Sequence, residues 1–178
     1  MVKIGANRSK KVKKNAGGAF HGLFLGESEH TLDPQGRITL PKEWRSPDGE
    51  TALVMIPARD QALLLLPVAT FVEFVDRVRK FAIANAKVQA AFAYLGSRSR
   101  ECRCDKQGRI AIDRKMLDEV GIGSQLKLIG AVTHIRICDL AQWRQPDPAV
   151  AAEYLDEIRR LSEDDGALGA LLEGILKK

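Results

Sequence analysis

Apolar and polar positions alternate or run together in short stretches, give way to helical spacing, and then repeat the short stretches. The pattern predicts strands over 29–32 and 37–40, then a short helical turn that Pro41 opens and that runs through Arg45. Residues 46–49, Ser-Pro-Asp-Gly, read as a turn. Strands follow over 52–56 and 62–66. Phe71, Phe74, Val75 and Val78 lie on one face of a helix over 68–82, with Arg77, Arg79 and Lys80 toward its end, where the helix dipole favours cations. A second helix over 85–95 begins at Asn85 as cap and ends at Gly96-Ser97. Strands over 99–104 and 109–112 come next. A helix over 114–120 follows, capped by Asp113 and closed by Gly121, and then strands over 125–130 and 133–138. From Pro146 onward, Val150, Tyr154, Leu155, Ile158 and Leu161 share a helical face. After a break at 162–165, Leu168, Leu171, Leu172, Ile175 and Leu176 make a second amphipathic piece. Either piece packs on the body or meets a partner, and the few bases argue against an anionic membrane surface.

The pattern is a duplication. Asp33-Pro34-Gln35-Gly36-Arg37-Ile38 returns 72 residues later as Asp105-Lys106-Gln107-Gly108-Arg109-Ile110. Asp and Pro suit the start of a type I turn, and Gly suits the left-handed position after it, so each copy reads as a tight hairpin loop leading into a strand. The match extends beyond the loops: 53–56 answers 126–129, 64–66 answers 135–137, and Phe71 answers Trp143. Each half is strand, turn, strand, short helix, strand, turn, strand. A unit of roughly 45–50 residues is too small to bury an adequate core alone. The two halves are therefore expected to share one core, a barrel, with the helices between them as connector. Trp44 is expected to plug that core.

In each copy the Arg stands one residue past the turn Gly, close to the Asp. The pair can be an exposed salt bridge worth about 0–1 kcal/mol. It can also be an arginine presented to an anion or a base edge, with the Asp holding its fork. Recurrence of the pair with its Gln-Gly favours the second use.

The net charge of +5 is unevenly placed. Residues 1–20 hold Lys3, Arg8, Lys10, Lys11, Lys13 and Lys14 and no acid; residues 145–178 hold eight acids and four bases. The first 20 residues lack periodicity and are expected to be a disordered basic arm, compatible with phosphate neutralisation. No run of 18 apolar residues predicts a membrane helix, and no secretory signal is expected. The three cysteines, Cys102, Cys104 and Cys138, are therefore expected as reduced thiols. With His134 they suggest a zinc site, but their spacing is not that of a C-x-x-C knuckle, and no metal is expected. No nucleophile–base pair or phosphate loop is present, so neither an enzyme nor a cofactor is expected.

The paired Asp-x-x-Gly-Arg turns, Phe24-Leu25-Gly26 ahead of the first, and 130–134 in the second half resemble the MraZ family over about residues 22–144. The resemblance implies an α+β fold in which two AbrB-like strand/short-helix repeats share a swapped-hairpin β-barrel, with connecting and C-terminal helices. The implied layout is the basic arm 1–20, a first repeat 21–67, a helical connector 68–97, a second repeat 98–144, and a helical tail 145–178. It implies a bacterial transcription regulator, cytoplasmic and nucleoid-associated. Such a regulator binds short direct repeats of double-stranded DNA upstream of the division and cell-wall gene cluster, as a homo-oligomeric ring. The family's motif residues fall on Asp33, Arg37, Asp105 and Arg109. On this view Arg37 and Arg109 read guanine or meet phosphate, and Gln35 and Gln107 read adenine or phosphate. Lys42, Arg45, Lys106, Arg114 and Lys115 meet the backbone. Asp113 departs from the proline at Pro41, and the arm and tail are additions. The alternative is a structural or antitoxin-like protein-interaction module that binds no DNA.

Overall fold

The two Asp-x-Gln-Gly bends set the path of the chain. Each closes with two backbone bonds: Gly36 donates to the Asp33 carbonyl and Asp33 to the Arg37 carbonyl, both at 2.9 Å, and Gly108 donates to Asp105 at 2.9 Å and Asp105 to Arg109 at 2.8 Å. Both glycines take positive φ, +71° and +77°, which a side chain would resist. The computed structural model describes residues 23–47, 50–58, 60–82 and 85–161. The expected basic arm, part of the 46–49 turn and the second amphipathic piece near the C-terminus lie outside these residues.

The elements in order are β1 (Glu27–Thr31), β2 (Arg37–Thr39), a 3-10 turn (Lys42–Trp44), β3 (Ala52–Ala58), β4 (Ala62–Pro67), α1 (Val68–Ala82), α2 (Ala86–Arg98), β5 (Arg100–Arg103), β6 (Arg109–Ala111), α3 (Arg114–Glu119), β7 (Gln125–Gly130), β8 (Ile135–Asp139) and α4 (Pro148–Leu161). The described residues through Leu140 form one compact unit, and those from Ala141 a second. Within the second, α4 exposes Val150, Tyr154 and Ile158.

The fold is α+β. Six strands form one antiparallel sheet in the order β1-β7-β8-β4-β3-β5, while β2 and β6 form a separate two-stranded ribbon. Among the described residues the sheet ends at β1 and β5 and does not close into the barrel expected from the repeats. The tight loops expected at the two bends are formed, but beyond their closing bonds the flanking strands make no ladder with each other. β1 goes to β7, β2 to β6 and β5 to β3, so every one of these ladders joins one half of the chain to the other. Pairing across the halves sets Ile38 opposite Ile110 inside a common core, which a hairpin closed within its own half could not do.

Both halves feed that core. Phe24, Ile38, Leu40, Trp44, Leu53 and Leu63 from the first pack with Ile110, Leu117, Leu126, Leu128, Ile135 and Ile137 from the second. Burial of each such side chain stabilises the fold by about 1.5–3 kcal/mol. Trp44 is a core residue, meeting Phe24 edge-on at 6.0 Å and donating its indole N–H to the Leu25 carbonyl at 3.0 Å. Where β4 meets β8, Leu63 stands opposite Ile137 and Leu65 opposite Ile135, all four buried. Leu63 and Leu65 thus answer Ile135 and Ile137, one residue earlier than the chain alignment suggests. A slip of one residue in a strand exchanges its two faces.

The helices start where their caps dictate. Asn85 accepts the Lys87 amide at 3.0 Å, and Asp113 accepts the Lys115 amide at 2.9 Å. α2 runs through Gly96 to Arg98 rather than stopping at Gly96-Ser97. The amide and the hydroxyl of Ser99 both donate to the Leu95 carbonyl and close the helix there.

Candidate nucleic-acid interface

The β2–β6 ribbon positions the candidate residues. Its register sets Arg37 against Ala111 and Thr39 against Arg109. Amide bonds from Leu40 to the Gly108 carbonyl and from Ile112 to the Gly36 carbonyl, both 2.9 Å, carry the ladder to the turn glycines. Side chains alternate along a strand. Ile38 and Ile110 point inward and are 2% and 0% exposed. Arg37, Thr39, Arg109 and Ala111 therefore share the outward face. The two turns lie at opposite ends of the ribbon, but their arginines emerge on one side of it. Arg37 and Arg109 are diagonal neighbours, with Cα atoms roughly 7–8 Å apart.

Each turn holds its arginine in the same way. One Asp33 carboxylate oxygen accepts the amides of Gln35 and Arg37, both at 2.9 Å; the other accepts Arg37 Nε at 2.7 Å. Asp105 repeats this with Gln107 and Arg109 amides at 2.9 Å and Arg109 Nε at 2.8 Å. Gln35 Oε1 accepts Arg37 Nη2, and Gln107 Oε1 accepts Arg109 Nη2 at 3.2 Å. Burial alone would raise the Asp33 carboxyl, but the Arg37 and Gln35 amides and the Arg37 guanidinium outweigh it and hold its pKa below the usual 3.8. The Arg109 amide, then its guanidinium and the Gln107 amide, do the same for Asp105 against a smaller opposing effect of burial. The charged carboxylate and the charged guanidinium thus persist together. Arg37 and Arg109 side chains remain 29% and 32% exposed, and Nη1 of each has no protein partner among the described residues. A guanidinium fixed on its Nε side and free at Nη1 is oriented to donate outward.

The basic residues divide between the two ends. A groove of about 460 Å³ beside the first turn is walled by Asp33, Pro34, Gln35 and, from the other half, Arg114 and Leu117. Its counterpart of about 450 Å³ beside the second turn is walled by Asp105 and Lys106 with Lys42, Glu43 and Arg45. Each groove therefore joins the turn of one half to the short helix of the other. Lys42 and Lys106 are exposed with no ion pair among the described residues, as is Lys115 beside Arg114. Arg114 is tied to Asp118 at 2.9 Å. Arg45 is committed inward: Nε and Nη2 donate to the Leu40 carbonyl at 2.9 and 2.5 Å, and its guanidinium lies over Gly108. Thr39 and Ala111, not singled out from the sequence as site residues, are exposed between the two arginines. Alternation around Ile38 and Ile110 was the signal that places them there.

The cysteines and His134 do not gather. Cys102 lies on β5 and Cys138 on β8, with β4 and β3 between. Burial, then Cys104 and Glu101, push the Cys102 thiol up to about 12, and burial raises Cys104 and Cys138 as well. Among the described residues no group of three or more metal-ligating side chains occurs, and no helix is long and apolar enough to cross a membrane.

Fold and site together define an α+β protein of two interlocked halves that displays a pair of carboxylate-braced arginines on one β-ribbon. A family model described as "MraZ protein, putative antitoxin-like" matches residues 23–91. Three curated relatives, each named transcriptional regulator MraZ, align over most of the chain. That of Herpetosiphon aurantiacus is 29% identical over 147 residues, 83% of this chain and 99% of its own. Those of Heliobacterium modesticaldum and Limosilactobacillus fermentum are each 26% identical, covering 80% and 74% of this chain and 99% and 92% of their own. An alignment of 147 residues in a chain of 178 takes in both turns wherever it begins. Over most of its length the chain is thus similar to proteins of the MraZ family.

Proposed function

We propose that this protein is a sequence-specific, double-stranded-DNA-binding transcription regulator. The observation that carries the reading is the placement of Arg37 and Arg109 on one exposed ribbon face, each with Nη1 free. An arginine forked on guanine O6 and N7 is the commonest specific contact in the major groove. The braced carboxylates keep the forks aimed without neutralising their outward edge. Lys42, Lys106, Lys115 and Arg114, at the two ends, meet phosphates and set position rather than sequence. Arg45 supports the second turn from behind. Gln35 and Gln107, bonded to the arginines, hold the forks and reach the backbone or an adenine edge. The name of the relatives supports the regulatory role.

In finer detail, the exchange of strands between the halves supports an AbrB-like swapped-hairpin unit built from repeats 21–67 and 98–144. The regulator binds short direct repeats upstream of the division and cell-wall gene cluster and sits at the nucleoid. One ribbon covers few base pairs, so affinity comes from several protomers of a homo-oligomeric ring on spaced repeats. The test is a mobility shift on duplex DNA from upstream of the protein's own gene. Arg37→Ala and Arg109→Ala each lower affinity by roughly tenfold or more, and binding weakens steeply with salt. Unchanged binding by both variants contradicts the assignment. An antitoxin-like interaction module, which the family model's description favours, instead predicts that duplex DNA never occupies the ribbon face.

A further inference from the structure

We infer that Thr39 and Ala111 are specificity-determining residues, the centre of a base-reading face made by the ribbon itself. The inference rests on the DNA-binding reading and goes further, because it assigns base contact to two residues outside the Asp–Arg motif. The register makes a two-by-two patch: Arg37 beside Ala111, Thr39 beside Arg109. The arginines take one diagonal and the two small residues the other. Asp33 and Gln35 draw one guanidinium toward the first turn, and Asp105 and Gln107 draw the other toward the second. The middle of the face is thereby left to the Thr39 and Ala111 methyl groups, both exposed. Neither can turn away, because Ile38 and Ile110 pin the opposite face in the core.

The dimensions suit the major groove, which is about 12 Å wide and admits a two-stranded antiparallel ribbon. Two residues along a strand advance about 6.8 Å, close to two base-pair steps. The patch therefore spans two to three base pairs. An exposed strand position ordinarily favours β-branched or aromatic residues, and alanine is depleted there. Ala111 thus gains nothing for the sheet by being small. Smallness does let a base edge approach until the arginines reach it. Alanine and the threonine methyl are the groups that meet a thymine C5-methyl. The face therefore reads an A·T pair flanked by guanines, with Arg37 and Arg109 on the guanines.

The experiment is selection from a duplex library with a randomised centre, using the full chain and the variants Thr39→Gln, Ala111→Gln and Thr39→Ser, each checked for an unchanged urea midpoint. The wild-type protein selects thymine beside guanine. The glutamine variants keep the guanines, change the central pair, and bind the wild-type-selected duplex at least about tenfold more weakly at an unaltered salt slope. Thr39→Ser, which keeps the hydroxyl and lacks the methyl, loses the thymine preference even should a glutamine variant fail to fold. If all three variants select the wild-type centre while Arg37→Ala and Arg109→Ala lose it, this inference falls and the DNA-binding reading stands. If the wild-type protein selects no duplex, both fall.

Discussion

Alanine at the two turn glycines should have unequal costs, and the inequality can be worked from their neighbours. Gly36 and Gly108 share a left-handed backbone, at φ +71° and +77°. Forcing an L side chain into that region costs roughly 1–2 kcal/mol at either site. At Gly36 an added Cβ meets only the Ile112 carbonyl oxygen, at 3.4 Å, so little else is lost. At Gly108 the same atom lands inside the Arg45 guanidinium. Arg45 is flexible and can swing out, but it then surrenders the Nε and Nη2 bonds to the Leu40 carbonyl. Discounted for the half-exposed setting, that loss is about 1–2 kcal/mol. Gly36→Ala should therefore cost about 1–2 kcal/mol and Gly108→Ala about 2–4 kcal/mol. Urea unfolding followed by circular dichroism at fixed protein concentration measures both. In an Arg45→Ala background the excess at Gly108 should vanish while the cost at Gly36 is unchanged, a coupling of about 1–2 kcal/mol confined to one pair. Equal costs at the two glycines, or an excess that survives Arg45→Ala, would show that Arg45 does not seat the second turn.

Two further outcomes follow from the electrostatics. The folded carboxyls of Asp33 and Asp105 titrate below 3.8, so their stabilisation of the turns is complete above that value and is lost as pH falls through the lower, folded pKa; side-chain carboxyl NMR titration checks this, and a midpoint at or above 3.8 for either Asp contradicts it. Lys127 lies in the sheet with Nζ 2.8 Å from Glu27 and 3.4 Å from Glu29 on β1, and the hydrogen bond that Nζ donates to Glu27 raises its pKa against the lowering effect of burial. Its counterpart in the first half is the apolar Val54, and both glutamates are well exposed, so Lys127→Met should leave the thermal midpoint unchanged or higher, whereas Glu27→Ala with Glu29→Ala should lower it; the reverse order refutes the reading.

Local chemistry was legible in the chain. The bounds of α1 and β7, the Asn85 and Asp113 caps and the Asp-x-Gln-Gly bends each depend on a few neighbouring residues, and the structure has them where the pattern puts them. Strand partnership was not legible. The exchange that sends β1 to β7 and β2 to β6 depends on contacts about 70 or more residues apart, while each bend by itself looks like an ordinary hairpin. The slip at β4 has a plain cause: Leu63-Leu64-Leu65-Leu66 carries no alternation, so its buried face is decided by Ile135 and Ile137 across the ladder. Gly96 looked like a helix stop, yet Ser99 supplies the cap three residues on. At the site, the Asp–Arg braces could be read from spacing alone. The common face of the two arginines could not, because it arises from pairing between the halves. The same holds for Arg45, whose guanidinium serves the opposite half's turn.

The most direct measurement is hydrogen–deuterium exchange of the full chain with and without duplex DNA from upstream of its own gene. Protection should appear over 33–39 and 105–111 together, be lost in the Arg37→Ala, Arg109→Ala double variant, and leave β3, β4 and α1 unaffected. Protection elsewhere, with both of these segments exchanging as in the free protein, would mean that the ribbon face is not where DNA docks.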